Sequence, residues 1–146
     1  MTALDLARKF IGVKEQPGSA SNPLVLAMLQ HVATWVQDDS VAWCSAFVGF
    51  IAWLSGLPQS NSLAARSWLK VGTMVSLVEA RPGFDVVVLK RGANSPGPNV
   101  LDAEGHVGFF VSQDVTGVTV LGGNQGDQVS IEKFPFDRVL GVRRLA

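Results

Sequence analysis

The stretch Trp43-Cys44-Ser45-Ala46-Phe47-Val48-Gly49-Phe50-Ile51-Ala52-Trp53-Leu54 decides how this chain is read. Its apolar residues cover nearly every side of a helix rather than one stripe, which marks a helix buried at the centre of a domain. Gly56 and Pro58 follow as the stop signal. Upstream, Thr2 is placed to cap a first helix through about Ile11, closed by Gly12. Glu15 to Ser21, with Pro17-Gly18, reads as a turn-rich loop. Asn22-Pro23 opens a second helix, because Asn offers a capping oxygen and Pro at the first position has no N–H to leave unpaired. Leu24, Met28, Val32 and Trp35 recur on one face at helical spacing, and Gln37-Asp38-Asp39-Ser40 breaks the pattern. Downstream, Ser62 opens a short fourth helix, Leu63 to Leu69, ended by Gly72.

Past that point the period changes. Asp85-Val86-Val87-Val88-Leu89, the run from His106 to Val111, Val118 to Leu121, Val129 to Ile131 and Val139 to Val142 are short β-type segments separated by turn residues. Helices first and strands second, joined by hairpin-length links, imply an α+β fold with N-terminal helices on an antiparallel sheet of about five or six strands. One connection is long. Arg91 to Gly105 carries Gly92, Pro96, Gly97 and Pro98 and stops just before His106, where a loop bordering a site would lie. Residues 1–146 read as one catalytic domain, a length sufficient to bury a core without disulfides or metal.

Hydrophobic residues make up 47% of the chain and charged residues 16%, a globular composition. Twelve basic and twelve acidic residues cancel, so the electrostatic footprint of a nucleic-acid binder is missing. No apolar run is long enough to anchor in a bilayer, and the segment from Met1 to Asp5 lacks a signal-peptide pattern. Synthesis in the cytoplasm is expected, with any action at the wall or periplasm dependent on release by another agent. A monomer is expected, without cofactor or metal.

Cys44 is the only cysteine, so its alternatives are core filler or a reactive thiol. It falls in the first turn of the buried helix, where free N–H groups and the helix dipole favour a thiolate and a lowered pKa. His106 follows Gly105 at a strand start, from which it can reach a helix N-terminus packed on the sheet and accept the thiol proton. A third group usually orients such an imidazole. The strand after that of His106 runs into Gly122-Gly123-Asn124-Gln125-Gly126, and its far end returns to the level of His106. Asn124 is the first candidate and Gln125 the second. His31 has no polar companions and reads as a surface residue. Asp38 and Asp39 read as solvated or capping acids, Asp39 near the turn into the Cys44 helix.

Four segments in order carry a resemblance: Trp43 to Val48, Ala65-Arg66-Ser67-Trp68-Leu69, Gly105-His106-Val107-Gly108-Phe109 and Leu121-Gly122-Gly123-Asn124-Gln125. Together they resemble the CHAP/NlpC-type papain-like cysteine amidohydrolases, over about Ala7 to Arg144. That resemblance implies hydrolysis of an amide bond in peptidoglycan through a thioester, with Cys44 as nucleophile, His106 as base and Asn124 as orienting residue. It also implies substrate contacts from Trp43, Arg66, Trp68 and Gln125. The small members suggest a phage or prophage endolysin released by a holin. An interbacterial toxin with a cognate immunity protein, or a non-catalytic phage structural domain, would share the same frame. The chain departs from the pattern in having no Glu near Asn124, and in Phe84 standing between Pro82-Gly83 and Asp85. The calcium loop of some relatives has no counterpart.

Overall fold

The computed structural model describes residues 1–16, 21–39, 41–92 and 94–146, so the expected Pro17-Gly18 turn lies outside the described residues. Three α-helices come first: α1 (Ala3–Arg8), α2 (Pro23–Val32) and α3 (Cys44–Leu54). Thr2 and Asp5 close a capping box on α1, each side chain accepting from the other's backbone N–H. α1 ends three residues short of the expected Ile11, because Lys9 and Phe10 bond to Leu6 and Ala7 and tighten the last turn. The Asn22 side chain caps α2 through Leu24 N–H at 2.9 Å, with Pro23 next. Its buried face is Val25, Met28 and Leu29; Trp35 lies beyond the helix and is 69% exposed, because Ala33 adopts an extended conformation and ends it. The expected fourth helix is a 3₁₀ segment, Ala65–Lys70.

Six strands follow: β1 (Thr73–Val75), β2 (Asp85–Lys90), β3 (Gly105–Asp114), β4 (Gly117–Gly122), β5 (Ser130–Phe134) and β6 (Val139–Arg144). They form one antiparallel sheet in the order β1-β6-β2-β3-β4-β5. The fold is therefore α+β, as its sequence pattern implies. β2 reads as an unbroken apolar run because both its faces are covered. Val86 and Val88 join the core under the helices, with Phe47, Ile51, Trp68 and Phe109. Val87 and Leu89 face a second core with Phe110, Val120 and Phe134.

Two polar clamps hold the frame. Asp85, at the start of β2 and buried, takes a two-pronged bond from Arg144 at 2.7 and 2.8 Å and a third from Arg81 N–H at 2.9 Å. Asp39, also buried, accepts from the Gln16 and Asn22 amides at 2.9 and 2.7 Å. It fastens the segment that leads into α2, rather than the turn into α3.

Candidate active site

Among the described residues no side chain caps α3, and Cys44 sits among its first N–H groups. The Val107 N–H of β3 and the backbone amides of Cys44 and Ser45 act on the sulfur to favour its charged form, which sets the thiol near the start of β3. Three bonds brace this helix start. Ser45 donates to Ser62 C=O at 2.6 Å and accepts from Trp68 Nε1 at 2.8 Å, and Trp43 Nε1 donates to the Glu15 carboxylate at 2.7 Å.

His106 is the second residue of β3, paired with Leu89 of β2. Its Nε2 lies 2.8 Å from Gln125 Oε1. The direction of that bond follows from the rest of the network. The Gln125 amide nitrogen donates to the carbonyls of Ser130 at 2.8 Å and Val120 at 3.3 Å, and carbonyls only accept. Oε1 must then face the imidazole, so Nε2 carries the proton and Nδ1 keeps its lone pair. That is the tautomer a general base needs.

The register of β3 with β4 pairs Phe109 with Leu121, and extending it would bring Asn124 opposite His106. The pairing ends at Leu121 instead, and Gly122 pairs with Ser130 of β5. Asn124 takes a left-handed conformation at φ 58°, the chain doubles back, and the next side chain swings onto the ring. The orienting contact expected first of Asn124 is therefore made by Gln125, which is buried and has its amide committed to the protein. Gly122 makes room: a Cβ there would stand 2.6 Å from Gln125 Oε1 and 3.2 Å from His106 Nε2.

On its other side His106 meets the Phe134 ring at 5.5 Å, and the Arg138 guanidinium lies over that ring at 5.2 Å while bonding Lys90 C=O. No sequence signal marked Phe134 or Arg138. Burial pulls the imidazole down to about 4, with the positive charges of Arg91 and Arg138 in the same direction and Gln125 opposing. Burial also pushes the Cys44 thiol up, against the pull of the Val107 amide, Arg91 and the helix-start amides. The lowered thiol pKa expected from the helix start alone is thus reversed: desolvation outweighs the dipole. The resting pair is neutral thiol and neutral imidazole.

A cleft of ≈ 230 Å³ opens at Cys44, lined among others by Ala42, Ala64, Arg91, Asp102 and Glu104. The last three belong to the β2–β3 connection, the loop expected to border a site. Among the described residues no group of three His, Cys, Asp or Glu side chains is placed to hold a metal ion, and no helix is long and apolar enough to cross a membrane.

No protein-family model matches the sequence, and no curated protein matches it. Among solved structures, NlpC1 from Trichomonas vaginalis superposes with a TM-score of 0.59 over 98% of this chain, at 16% identity. The fold is NlpC-like. The chain spans 42% of that neighbour's length.

On this NlpC-like frame three expected substrate contacts turn inward. Trp43, Arg66 and Trp68 are each 0% exposed. Trp43 and Trp68 bury their rings in the core and spend their N–H groups on Glu15 and Ser45, and Arg66 turns its Nε and Nη1 donors to the β2–β3 loop. The resemblance places these residues at a substrate groove, but the structure buries all three side chains. Gly123 shows how closely Trp43 packs: a Cβ there would stand 2.8 Å from its ring. Gln125, expected among substrate contacts, is held against His106.

Proposed function

We propose that this chain is a cysteine hydrolase that cleaves an amide bond in peptidoglycan, with Cys44 as nucleophile, His106 as general base and Gln125 as the residue that orients it. The observation that carries the proposal is the tautomer lock: Gln125 leaves His106 Nδ1 unprotonated at the start of β3, where the Val107 N–H acts on the Cys44 sulfur. The NlpC-like fold and the ordered motifs that resemble CHAP/NlpC-type enzymes support it. The mixed charge of the cleft, with Arg91, Asp102 and Glu104 in its lining, suits a peptide carrying both amine and carboxylate groups.

In the proposed reaction the Cys44 thiol proton passes to His106 Nδ1 as sulfur attacks the substrate carbonyl carbon. The helix-start amides of Cys44 and Ser45 are donors available to the developing oxyanion. As the tetrahedral intermediate collapses, the C–N bond breaks and the imidazolium returns its proton to the leaving amine, which leaves a thioester. Water, deprotonated by the now neutral His106, attacks that thioester and releases the carboxylic acid, with the proton returned to sulfur. The Nε2–Oε1 bond holds the ring in place through both transfers and stabilises its charged form.

The test is mass spectrometry of fragments from purified peptidoglycan. Wild-type protein should release amide-cleaved products, and Cys44→Ala and His106→Ala should each lose about a hundredfold or more. Undiminished cleavage by both variants would refute the catalytic assignment. The fragment masses also identify the bond cut. Lysis from outside versus only after permeabilisation tests the further proposal of a phage-type lysin whose access to the wall depends on release.

A further inference from the structure

Arg66 is a buried cation that no ion pair among the described residues balances. Desolvating a guanidinium costs several kcal/mol unless its donors are used. Its bonds all go to main-chain carbonyls of one loop: Nε to Glu104 at 2.9 Å, and Nη1 to Gly97 at 2.8 Å and Val100 at 2.9 Å. Nη2 is buried with no partner among the described residues. A side chain that hides a charge and leaves a donor unspent is poorly explained by stability alone.

The loop it holds supplies Arg91, Asp102 and Glu104 to the cleft, and among the described residues between Lys90 and Gly105 no helix or strand forms. The same loop delivers the chain to His106. Gly105 packs directly on the Arg66 stem, where a Cβ would stand 3.1 Å from Cγ, and the Glu104 carbonyl that Nε grips precedes it. We propose that Arg66 is a positioning residue: an internal post that sets the outer wall of the cleft and the path of the backbone into His106. Its planar fork reaches carbonyls seven residues apart in the chain, which a lysine ammonium on its single nitrogen cannot hold together.

The inference rests on the proposed hydrolase reading, but part of its test does not. Arg66→Met and Arg66→Lys would be compared with wild type by amide hydrogen exchange over residues 91–105, by thermal unfolding, and by kcat and KM on purified peptidoglycan. Gly97 and Val100 lie in exposed chain and Glu104 is exposed, so their carbonyls can return to water when the guanidinium goes. Arg66→Met should therefore keep its cooperative unfolding while exchange in the loop accelerates about tenfold or more. KM should rise by a similar factor, with a smaller fall in kcat, and Arg66→Lys should lie between. If Arg66→Met does not fold, Arg66→Lys decides: unchanged loop exchange and unchanged kcat/KM in that variant overturn the proposal. A loss of activity with loop exchange unaltered overturns it as well. If wild-type protein cleaves no peptidoglycan the hydrolase reading fails, and loop exchange alone still decides whether Arg66 holds the wall.

Discussion

Lowering the pH should loosen this fold through His106, beginning above the range in which ordinary carboxylates take up protons. The imidazole is buried, and its pKa falls from 6.5 to about 4 on folding. The unfolded chain then binds more protons than the native chain across that interval, so stability is fully present above about 6.5 and drains away as pH falls toward 4. A displacement of roughly 2.5 units corresponds to about 3 kcal/mol in full. Roughly 2 kcal/mol of that is lost between pH 7 and 5, where the slope approaches 1.4 kcal/mol per pH unit. Urea unfolding at several pH values would measure it, with His106→Asn as control. The slope of wild type should exceed that of the variant through this window, whatever the variant's absolute stability. Parallel slopes for the two proteins would show that the ring is solvated or already charged in the native state, and the neutral-pair account would fall with it.

Three other outcomes follow from the geometry. Native Cys44 should react slowly with iodoacetamide at neutral pH and faster only in the alkaline range, because burial pushes the thiol up. A rate that already plateaus near neutrality would contradict this. Gly122→Ala puts a Cβ 2.6 Å from Gln125 Oε1 and should dislodge the amide from His106, lowering kcat about tenfold or more with the fold retained by circular dichroism. Unaltered kcat would remove Gln125 from its orienting role. Asp85→Asn breaks a buried two-pronged pair whose arginine is only partly exposed, and should cost about 2 kcal/mol in urea unfolding, less than for a fully buried pair. A change within error would mean that the clamp is replaced by solvent.

Much of this arrangement is legible in the residues. The all-round apolar run of α3 and the alternating β-type segments specify α+β, and a cysteine at the head of one and a histidine at the head of another are visible without coordinates. β1 was missed because Thr73–Val75 is short, lies on the sheet edge and is largely exposed, so it carries no burial pattern. Trp43, Arg66 and Trp68 were assigned to a groove because residue type does not reveal which side of a helix start faces the core. Their inward placement depends on partners, Glu15, Ser45 and the carbonyls of a distant loop, that come together only in three dimensions.

The Asn124–Gln125 difference has a sharper cause. Counting residues back along a hairpin assumes that the ladder continues, but it ends at Leu121, and three left-handed residues, Asn124, Gly126 and Asp127, then turn the chain. Asn is among the few side chains that tolerate φ 58°, while Gly122 leaves room for the Gln125 amide and Gly123 for the Phe47 and Trp43 side chains. The left-handed residues thus turn the chain, and Gln125 among them does the chemical work. That division also accounts for the charge state of the site. A neutral amide, saturated by the Ser130 and Val120 carbonyls, can lock the imidazole without adding the negative charge that a carboxylate would bring. With Arg91 and Arg138 nearby and no acid among the described residues bonded to the ring, His106 is held neutral. Gln125→Glu separates these roles. It keeps the length of the side chain while placing a carboxylate at Nε2, and should raise the imidazole pKa toward its ordinary value by opposite-charge stabilisation. The histidine-dependent fall in stability between about 6.5 and 4 should then shrink, its acid limit rising toward 6.5. An unchanged fall would mean that burial alone, and not the neutrality of the third residue, sets the protonation of the pair.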